Sequence, residues 1–144
     1  MQEQPTIDLN ADLGEGEATD AALLDVVTSC NIACGGHAGD PASMARTVAA
    51  AIERGVVIGA HPSYPDREGF GRRSAYTPPT DLAPVIVQQI ADLAAIAGAS
   101  GAVLSHVKPH GALYNDAADD RALALAICDA VRAVDPEMRL VGLP

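Results

Sequence analysis

Short apolar segments alternate with amphipathic segments along almost the whole chain, which predicts strands and helices in turn. The predicted strands are 6–10, 31–34, 56–60, 102–107 and 139–143. The predicted helices are 20–28, 41–54, 81–97 and 117–134. The clearest helix has Asp40 and Pro41 at its start and Gly55 at its end, residue types that are typical of helix caps.

This alternation predicts an α/β fold, in which parallel strands form a sheet and helices pack outside it. Right-handed crossovers leave a doubly wound sheet or part of a barrel as the main options. Polar residues cluster where the predicted strands end, and this favours a (β/α) barrel, whose active site lies at the carboxyl ends of its strands. A length of 144 residues predicts a single domain over 1–144.

Composition and charge narrow the class of protein. Apolar residues make up 49% of the chain and aromatic residues 3%, so aliphatic side chains must form the core. The net charge of −10 makes nucleic acid a poor partner, because phosphate binding needs clustered Lys and Arg. No apolar run approaches the roughly 20 residues of a membrane span, and the N-terminus lacks the features of a signal peptide. We therefore expect a cytoplasmic protein that does not enter a membrane.

The chain has three cysteines, an odd number for which no disulfide is expected in a cytoplasmic protein. The spacing of Cys30 and Cys34 does not match the usual redox or zinc pattern. We interpret both as small core residues.

Two segments carry polar residues at every second position. Asp8, Asn10 and Asp12 alternate in the first segment, and His106, Lys108 and His110 alternate in another. In an extended chain each set shares one face. Taken alone, either face is equally typical of an exposed edge strand.

The four histidines, at 37, 61, 106 and 110, all lie at the ends of predicted strands or in the loops that follow. Histidine serves as a general acid or base near neutral pH and is the commonest metal ligand. Two or three of these histidines together with Asp12 could bind a divalent metal. A structural role is the alternative for each histidine taken singly.

Lys108, the only lysine, could stabilise an anionic intermediate or hold a carboxylate, or it could be a buried partner of Asp8 or Asp12. Arg72 and Arg73 could recognise a phosphate or carboxylate, or could simply be solvated. Neither a P-loop nor a dinucleotide-binding glycine motif is present, so any ATP is not held in a standard P-loop of this chain.

Four segments resemble the LamB/YcsF family, which contains one of the subunits of the bacterial ATP-dependent 5-oxoprolinase. They are LNADLGEG (9–16), NIACGGHAGDP (31–41), GAHPSYPDREGFGRR (59–73) and HVKPHGALYN (106–115). The resemblance implies a distorted (β/α) barrel of the glycoside hydrolase/deacetylase type. It also implies ring-opening hydrolysis of 5-oxo-L-proline to L-glutamate, coupled to ATP cleavage in a complex with two other subunits.

A closed barrel takes roughly 250 residues, so the resemblance covers the N-terminal part of one. Open sheet edges would be expected to associate, which makes a homo-oligomer an expectation.

We assign catalytic roles from residue type and from placement at the strand ends. Asp12 with His61 or His110 would activate water, His37 would act as the acid, and Lys108 would stabilise the oxyanion or a phosphorylated carbonyl. The expected substrate-binding residues are Asn10, Arg72, His106 and Asn115.

Two alternatives remain open. The first is a metal-dependent deacetylase or other amidohydrolase, in which stoichiometric zinc would be expected at His61 and His110 and no ATP would be needed. The second is a catalytically silent module that only binds ligand, and an upward shift of thermal unfolding by 5-oxoproline would argue against such silence.

Overall fold

The computed structural model describes residues 6–75 and 77–143, and the described residues form one parallel sheet with helices packed against it. The strands are β1 (Asn10–Leu13), β2 (Ser29–Ala33), β3 (Val57–His61), β4 (His106–Val107) and β5 (Arg139–Leu140). The helices are α1 (Asp20–Leu24), α2 (Pro41–Glu53), α3 (Pro79–Ala99), α4 (Gly111–Asp119) and α5 (Arg121–Val134).

The strand order decides between the two predicted architectures. The strands lie side by side in chain order, β1-β2-β3-β4-β5, and every neighbouring pair is parallel. A doubly wound sheet reverses its strand order at a switch point, whereas a barrel adds each strand on the same side of the last. The α/β prediction is confirmed, and the sheet is consistent with a partial (β/α) barrel.

An aliphatic core lies between the sheet and the helices, as the composition predicts. Leu13 and Ile32 from the strands are fully buried, and so are Val48 of α2 and Ile90 of α3. Cys30 and Cys34 are also buried, which confirms their interpretation as small core residues.

Helix α3 is long and apolar enough to cross a membrane by length and composition alone. In the fold it packs mainly against α5 and α2. Leu82, Ile86, Ile90 and Leu93, at helical spacing, are completely buried there. Core helices pass the same length and composition test, so this result is weak evidence for a membrane span.

The first strand lies later in the chain than predicted, at Asn10–Leu13 instead of 6–10. The prediction relied on Ile7 and Leu9, but these side chains are 79% and 50% exposed. Leu13 is the residue that enters the core, and the register that pairs Leu13 with Ile32 therefore sets the strand.

The predicted helix 117–134 is two helices, α4 and α5, with Asp120 between them. Asp120 is extended, at φ −113° and ψ 102°, and its carboxylate accepts hydrogen bonds from the backbone N–H groups of Ala122 and Leu123. This N-cap starts α5. Helix α4 begins at Gly111, before the start of the predicted helix, because Ala112 and Leu113 bury their side chains there.

Candidate active site

The parallel strands bring the five predicted catalytic residues to one edge of the sheet. Asp12 lies in β1, His37 lies in the loop after β2, and His61 is the last residue of β3. Lys108 follows β4 directly, and His110 is the N-cap of α4. Their proximity follows from the topology, because parallel strands all end at the same edge.

Three of the histidines form a buried cluster. The rings of His37 and His110 are stacked, with centroids 3.6 Å apart and an angle of 2° between their planes. The ring of His61 is nearly perpendicular to both, with centroids at 5.4 and 4.8 Å. His110 Nδ1 and His61 Nε2 are 3.0 Å apart. The structure thus brings these residues together, while their catalytic roles stay predictions.

Glu15, which was not among the predicted site residues, completes this cluster. Its Oε1 lies 2.8 Å from His37 Nε2, 3.4 Å from His110 Nδ1 and 3.7 Å from His61 Nε2. Glu15 lies in LNADLGEG, one of the four segments that carry the family resemblance. The sequence signal for Glu15 is its position in the turn directly after a strand, at the same end of the sheet as the histidines.

The rings of His61 and His110 each have an inner nitrogen that faces the other ring and an outer nitrogen that does not. Each outer nitrogen is hydrogen-bonded to a backbone carbonyl. His61 Nδ1–H donates to the carbonyl of Lys108 at 2.6 Å, and His110 Nε2–H donates to the carbonyl of Phe70 at 2.8 Å. His37 Nε2–H donates to Glu15, and His37 Nδ1 is buried without a hydrogen-bond partner in the described part of the chain.

The loop that contains Phe70 packs closely against the cluster. Phe70 has a φ of 53°, a conformation that non-glycine residues rarely adopt. Its ring meets His37 and His110 edge-on, with centroids at 5.1 and 5.2 Å. A Cβ atom on Gly71, which has a φ of 63°, would lie 2.9 Å from the Cβ of His37. This close approach of the backbone explains the glycine after Phe70.

Asp12 and Lys108 form an ion pair beside the cluster. Lys108 Nζ lies 3.0 and 3.1 Å from the two carboxylate oxygens of Asp12, and Asp12 Oδ2 lies 3.4 Å from His61 Nε2. Burial raises the pKa of Asp12, but hydrogen bonds and charge from His61, Asn31 and Lys108 outweigh it and hold this pKa well below its usual range. Of the two partners proposed for Lys108, the structure shows Asp12.

A second polar layer supports Asp12 from below. Asn31 Nδ2 donates to Asp12 Oδ1 at 2.8 Å and to Asn10 Oδ1 at 2.5 Å. His106 Nε2–H donates to Asn31 Oδ1 at 2.7 Å, and His106 Nδ1 accepts from the hydroxyl of Ser105. Asn10 and His106, both predicted to bind substrate, thus contact Asp12 through Asn31, a residue that the sequence analysis missed.

Burial and the neighbouring groups together set the protonation states of this cluster. Burial lowers the pKa of His37, and it lowers the pKa of His110 to about 4. Burial alone would raise the pKa of Glu15, but the neighbouring histidines, His37 first, keep it below its usual value. Near neutral pH, His37 and His110 are therefore neutral while Glu15 is ionised.

The two remaining predicted residues lie outside the cluster. The guanidinium carbon of Arg72 is 5.1 Å from the centre of the Phe70 ring, and its side chain is exposed. Asn115 is exposed on α4, and no hydrogen bond joins its side chain to another described residue. Their roles in substrate binding stay predictions. The neighbouring Arg73 pairs with Asp66 and Glu68.

Four residues of the site could hold a metal ion. Glu15, His37, His61 and His110 each offer one ligand atom, and these atoms all lie within 4.8 Å of one another. Carboxylate oxygen and imidazole nitrogen are both common zinc ligands.

Comparison with known proteins agrees with this architecture. The model of the LamB/YcsF family matches residues 7–144. The chain belongs to the LamB/YcsF family. The family resemblance seen in the four sequence segments is thereby confirmed. The chain is also similar to a solved structure described as the crystal structure of lactam utilization protein from Thermus thermophilus, with 44% identity and a TM-score of 0.95. The match covers 97% of this chain and 59% of that chain.

Proposed function

We propose that this LamB/YcsF chain carries the candidate active site of a hydrolase that opens a lactam ring, with 5-oxo-L-proline as substrate and L-glutamate as product. The observation that carries the proposal is the Asp12–Lys108 ion pair beside the buried histidines, at the carboxyl ends of the strands. The similarity to a lactam utilization protein at 44% identity supports the substrate class.

The chemistry of lactam hydrolysis matches the groups present. Water must add to the carbonyl carbon and lose a proton, the C–N bond must break, and the ring nitrogen must gain a proton. Asp12, with His61 or His110, would accept the proton of water. His37, which is neutral in the free protein, would take up a proton at Nδ1, unpartnered among the described residues, and pass it to the leaving nitrogen, while its Nε2–H stays on Glu15. Lys108 would stabilise the negative charge on the carbonyl oxygen.

Substrate contacts are assigned around this centre. Asn10 and His106 lie in the polar layer below Asp12, and Arg72 lies beside Phe70. Asn115 on α4 is the fourth residue of this proposal. The carboxylate of 5-oxoproline would suit Arg72, because guanidinium groups bind carboxylates through paired hydrogen bonds.

An amide is resonance-stabilised, so we further propose that ATP cleavage drives the ring opening. The chain has no P-loop motif, and we assign ATP to the assembled enzyme, with two other 5-oxoprolinase subunits as partners and the cytoplasm as its location. Transfer of the γ-phosphoryl group of ATP to the amide oxygen, with release of ADP, would make the carbonyl carbon more electrophilic. Addition of one water and cleavage of the C–N bond would then leave an acyl phosphate, and a second water would release phosphate and glutamate.

The test is release of glutamate from 5-oxoproline by this chain with ATP and the two partner subunits. We expect wild-type protein and the control Asp25→Asn, which alters an exposed ion pair with Arg54, to be equally active. The double variant Asp12→Ala, His61→Ala should lose activity by at least about 100-fold. Full activity of the double variant would refute the assignment of the site.

A second candidate function is a metal-dependent amidohydrolase or deacetylase, favoured by the cluster of Glu15, His37, His61 and His110, which offers several possible metal ligands. A divalent cation held there would polarise a carbonyl oxygen. Activity that is lost on chelation and needs no ATP would support this function over the first.

A further inference from the structure

The inner nitrogens of His61 and His110 face each other in a way that two neutral rings do not favour. Each ring donates its outer N–H to a backbone carbonyl, His61 to Lys108 and His110 to Phe70. In a neutral imidazole the other nitrogen is then a lone-pair acceptor. His61 Nε2 and His110 Nδ1 are nevertheless 3.0 Å apart and buried. Two lone pairs at this distance repel unless a positive centre binds both.

Glu15 directs a carboxylate oxygen at the same point. Its Oε1 lies 3.4 Å from His110 Nδ1 and 3.7 Å from His61 Nε2. In a tetrahedral zinc site with bonds of about 2.0–2.2 Å, neighbouring ligand atoms are about 3.3–3.6 Å apart. Of the three separations at this point, 3.4 Å lies within that range, and 3.0 and 3.7 Å lie just below and just above it.

We infer that His61 Nε2, His110 Nδ1 and Glu15 Oε1 form a binding site for one zinc-class divalent ion, and that His37 positions Glu15 without binding the ion. This deepens the second candidate function, a metal-dependent amidohydrolase, on which it rests only for the use of the ion. With the ion bound, the lone pairs of His61 and His110 are used as ligands, so Asp12 would accept the proton of water in that function. Three protein ligands leave one position of a tetrahedral ion for water or substrate, as in catalytic zinc sites.

Ring stacking excludes His37 from the ligand set. The rings of His37 and His110 are parallel within 2° and 3.6 Å apart. A metal ion binds in the plane of an imidazole ring, at about 2.0–2.1 Å from the nitrogen. An ion in the plane of His110 is therefore too far from the plane of His37 to be bound by both rings.

The hydrogen bonds of the ligands are those expected around a bound ion. A ligand histidine usually donates its other N–H to a carbonyl or carboxylate, and a ligand carboxylate is itself hydrogen-bonded. The carbonyls of Lys108 and Phe70 serve the two histidines, and His37 Nε2–H donates to Glu15 at 2.8 Å. The unusual backbone of Phe70, with its φ of 53°, places one of these carbonyls.

The experiment measures zinc binding directly. Protein stripped with a chelator is titrated with zinc chloride by calorimetry near pH 7.5, and bound metal is counted after dialysis. We expect one zinc per chain for wild type and the loss of stoichiometric binding in Glu15→Gln, His61→Asn and His110→Asn. His37→Asn should retain one zinc with roughly 10- to 100-fold weaker affinity, the usual effect of losing a group that orients a ligand.

His106→Asn is the matched control, because it removes a buried histidine of the layer below and should bind zinc like wild type. X-ray absorption on zinc-loaded wild type should show two imidazoles among the ligands, a result that does not depend on any variant folding. Absence of stoichiometric zinc, or three imidazoles, would overturn the inference. In the first case the two histidines share a proton instead.

The two proposals fail separately. Zinc binding without glutamate release would keep the metal site and refute the lactam hydrolase. Glutamate release by zinc-free protein, with no zinc bound on titration, would keep the lactam hydrolase and refute the metal site.

Discussion

Replacing Lys108 with Met separates a structural role of this lysine from a catalytic one. Lys108→Met removes the ammonium group but keeps an unbranched side chain of similar size. The lost contacts are the two bonds to Asp12, at 3.0 and 3.1 Å. Asp12 keeps its hydrogen bond from Asn31 and its contact with His61.

The expected loss of stability is small. The Lys108 and Asp12 side chains are 27% and 33% exposed, so water replaces much of what the ion pair contributes. Ion pairs with this degree of exposure contribute about 1 kcal/mol or less to the free energy of unfolding. We expect Lys108→Met to lower that free energy by about 1 kcal/mol.

The expected loss of activity is larger. If Lys108 stabilises the oxyanion, its removal should lower kcat by roughly 100- to 1,000-fold, which corresponds to about 3–4 kcal/mol of transition-state stabilisation. The difference between the two magnitudes is the diagnostic result. A lysine that only pairs with Asp12 would change stability without a comparable fall in kcat.

The assay is ATP-dependent glutamate release with the partner subunits, with kcat and KM determined separately, alongside urea unfolding of each variant. Arg54→Met is the matched control, since it removes a cation that pairs with Asp25 at the end of α2, far from the site in the fold. It should leave kcat unchanged. A kcat of Lys108→Met within about threefold of wild type would refute the catalytic role.

Two further predictions concern His106. Gly59→Ala places a methyl group against the ring of His106 on the adjacent strand. This variant should lower the free energy of unfolding, measured in urea titrations, by about 1–3 kcal/mol. A variant as stable as wild type would show that the His106 side chain moves freely. Burial lowers the pKa of His106, so it stays neutral in the folded protein while the unfolded chain takes up a proton below about pH 6.5. Stability should therefore fall between pH 7 and pH 5, and His106→Asn should reduce that slope; equal slopes would contradict the prediction.

Local sequence patterns determined most of the elements. Asp40 and Pro41 start α2 with a capping box, and Gly55 follows its end, as the sequence indicates. The uninterrupted apolar segment around Gly59 is strand β3, which is buried except for Val57. These features depend on contacts within a few residues, and so they can be read from the chain itself.

The start of β1 and the break between α4 and α5 depended on the tertiary structure. The spacing of Ile7 and Leu9 is typical of a strand, but Leu13 is the side chain that packs in the core. Its burial sets the register of β1. Asp120 breaks a continuous helical pattern by capping α5. A separate helix, α4, forms before it because Ala112 and Leu113 bury their side chains. Propensity is weak compared with burial at such positions.

Some features of the site could likewise be predicted from the sequence, whereas others depended on the tertiary structure. The positions of His37, His61 and His110 at strand ends could be predicted, because the alternation of strands and helices already places those ends at one edge. No local pattern indicates that Glu15 Oε1 lies near two facing ring nitrogens, or that the Phe70 carbonyl orients His110. Those contacts join residues far apart in the chain, and only the packing of loops over the sheet edge brings their atoms within bonding distance.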